Sequence, residues 1–543
     1  MRNKNIVRVV LVTFLLVSTA YCTSAQEWQW MSTVDSIVSG ENNDHPHAFL
    51  WIPPNCKQVR GVVVGQHNMI EEGILEHQVF RKALEKLGFA EIWITPCLDV
   101  TFDFNKDIGK RFDEMMQSLA TVSGYDELAY APVIPIGHSA LASYPWNFAA
   151  WKPQRTLAII SVHGDAPLTN LTGSGKPNPD WGNKTIDGIP ALFVMGEFEW
   201  WENRIMPAFE YVKKHPAAPI SLFADAGHGH FDYSDDLVAY LAMFITKAAE
   251  YRLPATGSLH QPPGLRFVNP EKGWLMDRWR KDSLPVKQPA PYKTYQGNRQ
   301  EASWCFDKEM CKLTEQFYAK ARGKQNQYIG FMQNGNLIKP FGGHAQYNLK
   351  FIPLQDGISF HLKALFTDTS KTKSIKEHSD ESPLINRICG PVKKVNDSTF
   401  QLSFYRMGFN NLKRSNDIWL LASAKGDATY KSAVQQLDLH FPLVNKEGTP
   451  QSIDFPVIPD QKEGVAYLSL KATATSGMPV QYYVQQGPAK VMGNKLVFDK
   501  IPPRSKFPVK VTVVAWQYGT SNEPKIQSAE SVLQSFYLIK MIP

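Results

Sequence analysis

Between residues 46 and 250 two hydrophobic patterns alternate. Short apolar or β-branched runs occur at His47–Ile52, Gly61–Gly65, Ala90–Thr95, Val133–Ile136, Thr156–Val162, Ala191–Met195 and Ile220–Phe223. Runs of this length without polar alternation are those of strands buried on both faces. Between them lie stretches with apolar residues at helical spacing. Glu72–Leu87 carries Ile74, Leu75, Val79, Phe80, Ala83, Leu84 and Leu87, and Phe112–Val122 carries Phe112, Met115, Met116 and Leu119. Ser234–Glu250 closes the region as a long helix, with Ser234 at its cap and Asp235 and Asp236 in its first turn. This rhythm predicts an α/β domain: a doubly wound, mostly parallel sheet covered on both faces. In such sheets a site forms beyond the carboxyl ends of the strands.

The pattern changes after residue 253. Residues 254–300 are punctuated by Pro254, Pro262, Pro263, Pro270, Pro285, Pro289 and Pro291, which reads as a linker packed across the surface. A helix follows over Ala302–Ala321, and from about 326 strand signals dominate, at 348–352, 358–365, 400–405 and 418–422. In the last segment strands are expected at 465–470, 481–484, 495–498 and 509–516. Its phrases Ser476-Gly477-Met478-Pro479-Val480, Gln486-Gly487-Pro488-Ala489, Gly493-Asn494-Lys495-Leu496 and Val513-Val514-Ala515-Trp516-Gln517 resemble bacterial immunoglobulin-like sandwiches, which are usually non-catalytic. The expected division is 1–25 export segment, 26–253 α/β domain, 254–325 linker with a helix, 326–446 β-rich domain and 447–543 sandwich. A chain of 543 residues exceeds one core, and roughly 100–200 residues per domain suits this count.

The amino terminus sets the expected location. Arg2, Lys4 and Arg8 precede the apolar run Val9–Val17, and Thr23-Ser24-Ala25 supplies small residues before Gln26. That is the layout of a signal peptide cleaved after Ala25, for a secreted or periplasmic protein. A lipoprotein signal using Cys22 is the rival, with bulky Tyr21 against it. No later segment has 18 uninterrupted apolar residues, so no stable membrane span is expected. The net charge of +7 is spread along the chain without a dense Lys/Arg block, which argues against a nucleic-acid partner. Beyond Ala25 there are five cysteines: Cys56, Cys97, Cys305, Cys311 and Cys389. Cys305 and Cys311 are open to a disulfide or to buried thiols, and their spacing suits no zinc site. No metal and no cofactor are implied.

Ile136-Gly137-His138-Ser139-Ala140 follows a buried strand and precedes a helix-compatible stretch. It resembles the nucleophile elbow of α/β-hydrolases, where a serine sits on a sharp strand-to-helix turn. Crowding there calls for small residues two positions before and after. Gly137 satisfies the first, whereas Leu141 departs from the common G-x-S-x-G. The resemblance implies the order nucleophile, acid, base. Met195-Gly196-Glu197-Phe198-Glu199 follows the strand at 191–195, and its spacing points to Glu199 as the acid, with Glu197 and Glu202 as alternatives. Asp225-Ala226-Gly227-His228-Gly229-His230-Phe231 precedes the closing helix and offers two bases, His230 and His228, of which His230 is preferred. The oxyanion donors implied by the family are the backbone amides of Ala140 and, from the loop Gly65–Met69, of Asn68. His67 reads as structural or as a pocket wall.

Residues 164–187 are rich in Gly, Pro, Asn and Asp and too long for a simple turn, as binding loops often are. Trp181, Trp200 and Trp201 either line a groove or pack that loop onto the domain. The resemblance implies an exported serine hydrolase that cleaves a carboxylic ester. Export, a 12% aromatic content and the attached sandwich suggest a small-molecule or carbohydrate ester, such as an acetyl or methyl ester on a sugar. A serine peptidase of the same fold, or a silent hydrolase fold serving as a binding module, are the alternatives.

Overall fold

The strand-like runs join into one sheet of eight. They are β1 (Trp30–Thr33), β2 (His47–Trp51), β3 (Gly61–Gln66), β4 (Phe89–Thr95), β5 (Val133–His138), β6 (Ile159–Val162), β7 (Ala191–Gly196) and β8 (Ile220–Asp225). Their spatial order is β1-β2-β4-β3-β5-β6-β7-β8. β3 to β8 run parallel, while β2 runs against β4 and β1 against β2. This computed structural model describes residues 27–541 apart from 173–174 and 256–259. The export segment expected at 1–25 lies outside them. Among the described residues no helix is long and apolar enough to cross a membrane.

Every residue of β3 to β8 is buried, because helices cover both faces. Val63, Ile136, Ile160 and Val194 face α2 (Gln78–Leu87) and α6 (Asp235–Arg252). Their alternate neighbours Val62 and Val64 face α3 (Ile108–Ser123), and Ile159 and Phe193 face α4 (Tyr144–Trp151) and α5 (Glu202–Lys214). This is an α/β-hydrolase-like architecture. The helix expected over Glu72–Leu87 is two: α1 (Glu71–Leu75) and α2. His77 lies between them in an extended conformation and caps α2, its Nδ1 accepting from the Val79 amide at 3.3 Å.

The segment read as a linker belongs to the core of the α/β domain. Leu275, Trp279, Trp304 and Phe306, with Met310 and Phe317 of α7 (Lys308–Ala319), pack with Phe223 and Phe244. Ser303 Oγ meets both the amide and the carbonyl of Leu222, at 3.0 and 2.9 Å, so this strap lies along β8 at the sheet's outer edge. The five cysteines are free thiols, and Cys305 and Cys311 are both buried in this region.

The remainder consists of small β-sheets. Asn348–Lys350, Ala433–His440, Asp417–Ala424 and Leu384–Cys389 form one, and Gln461–Lys462, Val532–Ile539, Val509–Trp516 and Gln481–Gln486 another. Two hydrophobic cores lie on either side of residue 447, and one strand serves both. Along Val509–Trp516, Val511, Val513 and Ala515 face the last core, while Val514 and Trp516 face the core built from 329–441.

Buried charges fasten the β-rich region to the α/β domain. Arg406 bonds Glu72, lies 2.8 Å from Glu76 and 3.3 Å from Glu27, and Arg387 meets Glu72 at 3.0 Å. Glu72 is 2% exposed, so losing its partners leaves a charge with neither water nor a cation. Arg406→Met is expected to lower stability by about 3–5 kcal/mol, measured by urea unfolding. Lys413→Ala, on the exposed surface nearby, should change it by less than about 0.5 kcal/mol. Equal effects of the two would show the network to be idle.

Candidate active site

The site starts from a strained bend. β5 ends at His138, and Ser139 adopts φ +52°, a left-handed conformation costly for a residue with a Cβ. A short 3-10 turn over Ser139–Leu141 leads into α4. Gly137 is required: a Cβ there would lie 2.2 Å from the Leu141 carbonyl oxygen. The small residue expected at 141 is not needed, because Leu141 is itself buried and the tight approach falls one residue later. A Cβ on Gly164 would come 1.9 Å from that of Ala142, so the neighbouring loop supplies the room.

Three predicted residues meet above the strand ends. Ser139 Oγ lies 2.7 Å from His230 Nε2. His230 Nδ1 bonds Glu199 Oε2. Glu199 sits in a 3-10 turn after β7, and His230 on the loop after β8. With Nδ1 facing a carboxylate it must carry the proton, which leaves Nε2 as the acceptor for the Ser139 hydroxyl. Burial acts to raise the Glu199 pKa, but hydrogen bonds from His163 and His230 and their charges outweigh it and hold it well below the usual carboxylate range.

The residue before the serine fixes the base. His138 Nε2 donates to the His230 carbonyl at 2.8 Å, and Asn68 Nδ2 donates to the His138 carbonyl at 3.0 Å. Burial, then the neighbouring His230 and His163, push the His138 pKa well down, so this imidazole is neutral. The amides of His138 and Met69 donate to Glu71 at 2.9 Å each, and the amide of Asn68 acts on the same carboxylate. Asn68, predicted as an oxyanion donor, is therefore turned toward Glu71 and braces the elbow instead. Burial raises the Glu71 pKa to about 7 despite those amides.

The alternatives face elsewhere. Glu197 accepts from the Gly227 amide at 2.8 Å and from Lys431 at 2.6 Å, and Glu202 pairs with Arg278 at 3.0 Å. His228 bonds Asp232, not Ser139. His67 is buried, with its Nδ1 3.2 Å from Thr95 Oγ1. Trp181 is buried and donates to Asn147 of α4 at 2.8 Å, packing its loop down, whereas Trp201 and Phe198 are exposed.

Sequence reasoning missed three contributors. His163 ends β6 and donates to Glu199 Oε1 at 2.6 Å, and Arg204 of α5 reaches Glu199 Oε2 at 3.1 Å. His344 comes from the β-rich region, its ring centroid 6.0 Å from that of His230 and 4.8 Å from that of Phe231. His163 carried the one local signal, a polar residue at the mouth of an apolar strand. His344 carried none, since no pattern in one chain reports contact across 114 residues. Cavities of about 240 and 250 Å³ lie away from Ser139, beside Arg60 and Pro254 and beside Arg280 and Tyr295. Among the described residues no group of three or more His, Cys, Asp or Glu is arranged to hold a metal ion.

No family model matches the sequence, and no curated protein matches it. Solved structures with a similar fold are serine hydrolases and esterases. FphF, a fluorophosphonate-binding serine hydrolase of Staphylococcus aureus, is 12% identical over 40% of this chain and 96% of its own, with a TM-score of 0.29. Est1E from Butyrivibrio proteoclasticus is 12% identical over 41% and 100%, with a TM-score of 0.27. The enterobactin esterase FES from Shigella flexneri is 12% identical over 42% and 61%, with a TM-score of 0.31.

The loop histidine His228 makes the site's stability depend on pH. Burial acts against its charge, but Asp232 and then Asp225 raise its pKa to about 10. Its folded value lies above its unfolded one, so its contribution is complete below about pH 6.5 and is lost as pH rises through about 10. The stability difference between wild type and His228→Gln, measured by urea unfolding, should be constant below pH 6 and shrink toward pH 10. A difference that grows with pH would contradict the ion pair.

Proposed function

We propose that this chain is a serine hydrolase that cleaves a carboxylic ester through Ser139, His230 and Glu199. The observation that carries the reading is the 2.7 Å contact between Ser139 Oγ and a His230 Nε2 left as acceptor by the Glu199 contact on the other ring nitrogen. In the first step His230 Nε2 takes the Ser139 proton as Oγ bonds to the carbonyl carbon. The resulting oxyanion meets the Ala140 amide. Collapse returns the proton to the departing alcohol and leaves an acyl-serine. A water, deprotonated by the same imidazole, then releases the acid and restores the hydroxyl. Glu199 stays ionised throughout and stabilises the imidazolium.

The substrate in this reading is an ester carried on a carbohydrate and met outside the cytoplasm, with residues 1–25 as the export signal. It is supported by the exposed aromatics Phe198 and Trp201 on the acid loop and Phe341 on the loop that carries His344. A fluorophosphonate probe is expected to label wild type and not Ser139→Ala. His230→Gln should lower kcat/KM on p-nitrophenyl acetate by about 10,000-fold or more. A screen of acetylated and methylated glycans should give turnover that Ser139→Ala lacks. Cleavage of short peptide amides instead of esters would make the chain a peptidase, and absence of labelling would leave it a silent fold.

The His344 loop is expected to contact the substrate beyond the ester. His344→Ala should raise KM for a glycan ester about 5–10-fold, and raise it less for p-nitrophenyl acetate, in steady-state assays. Equal changes for both would remove the β-rich region from recognition.

A further inference from the structure

The Glu199 carboxylate serves two imidazoles. His230 takes Oε2, and His163 takes Oε1 at 2.6 Å. The His163 side chain is wholly buried, and its other nitrogen, Nε2, lies 3.6 Å from Asp225 Oδ2 at the end of β8. That distance is too long for a hydrogen bond and suits an ion pair. Neither carboxylate oxygen of Asp225 has a hydrogen-bond partner, although the residue is fully buried. His163 is also strained, with φ +47°, so its backbone is bent to deliver the ring.

Counting protons settles the ring's charge. Nδ1 faces a carboxylate and must be N–H. A bare lone pair on Nε2 would face a second buried carboxylate, an arrangement that two electron-rich groups do not tolerate. Both nitrogens therefore carry hydrogen. We propose that His163 is a positioning residue, an imidazolium clamped between Glu199 and Asp225 that holds the acid in place for His230 and moderates how strongly the acid draws a proton onto His230. This rests on the assignment of Ser139, His230 and Glu199 to catalysis.

The groups around His163 fit that charge. Glu199 from the turn after β7 and Asp225 from β8 are the anions. Arg204 of α5 is the second cation on Glu199 and also donates to the carbonyls of His163 and Gly164, at 2.8 and 2.6 Å. Arg204 is itself 3.8 Å from Asp165. His138 from β5 is neutral, and its ring and that of His230 have centroids 6.1 and 6.2 Å from that of His163. Burial lowers the His163 pKa, but the nearby Asp225 carboxylate, the hydrogen bond to Glu199 and the charge of Glu199 raise it to about 9. With a cation on each oxygen, Glu199 attracts less charge to His230. The base then stays unprotonated, and able to accept the serine proton, at lower pH.

The test uses the full chain and His163→Gln, which keeps a donor toward Glu199 but cannot be charged. The acid limb of the kcat/KM profile on p-nitrophenyl acetate is expected to move up by about one pH unit, so that activity at pH 6 falls about 10-fold more than at pH 9. A profile lowered by one factor with its limb unmoved would overturn the proposal and leave His163 merely structural. Imidazole NMR on ¹³C-histidine protein reads the same quantity without turnover: the His230 midpoint should rise in His163→Gln, and an unmoved midpoint overturns the clamp. A wild type that is neither labelled nor active would sink the hydrolase reading, while that NMR midpoint still decides the clamp. If His163→Gln does not fold, Asp225→Asn replaces it, and the His163 midpoint should fall from about 9 toward the ordinary value. A His163 midpoint unchanged in Asp225→Asn refutes the clamp.

Discussion

Glu199 and His230 arrive on separate loops, after β7 and after β8, and the Glu199 carboxylate sets their register. Its Oε1 receives His163 and, at 3.2 Å, the Gly196 amide, while Oε2 receives His230 and Arg204. Donors from four elements converge on one group that is 13% exposed. A carboxylate so surrounded stays ionised and cannot swing away from any one donor without losing the others. The orientation of His230, and with it the 2.7 Å approach to Ser139, follows from that constraint.

The β-rich region takes part in holding this arrangement. Lys431 reaches Glu197 and Asp282 at 2.6 Å each from a position that is almost fully buried. Glu197 stands two residues before Glu199 in the same 3-10 turn and accepts from the Gly227 amide on the base loop. Ser432 donates to the Gly227 carbonyl at 3.2 Å, and a Cβ on Gly227 would lie 2.1 Å from that hydroxyl. One lysine from the second region thus ties the Glu197–Glu199 turn to the strap at Asp282, while Glu197 joins that turn to the loop of His230. Trp419, with its ring 4.9 Å from that of Phe231, packs behind the base. The appended sheets are therefore continuous with the site, in contact and in energy.

The core of the α/β region was legible because burial on both faces leaves a strong mark on sequence. β3 to β8 all fall where apolar runs predict them. That Ser139, Glu199 and His230 meet was legible because the fold confines each to one loop. Less legible were elements whose partners lie far along the chain. The proline-rich strap looks like a linker because its apolar residues stand singly, yet Trp279 and Trp304 are core residues. Val509–Trp516 reads as a strand of one sandwich, but its two faces serve two cores. Asn68 was placed on the right loop, but its amide direction depends on Glu71, whose burial no local pattern reports.

Strain links these observations. Ser139 and His163 end adjacent parallel strands, and both sit in left-handed conformations that cost about 1–3 kcal/mol each. Such residues persist only where the surroundings overdetermine them. For Ser139 the surroundings are the Gly137 approach beneath it and the His230 contact above. For His163 they are two carboxylates, one on each ring nitrogen. The two bends place their side chains on one chain of contacts, which runs from Asp225 through His163 and Glu199 to His230 and the serine oxygen. Relaxing either backbone would break those contacts, so the side-chain contacts are what hold the two bends in place.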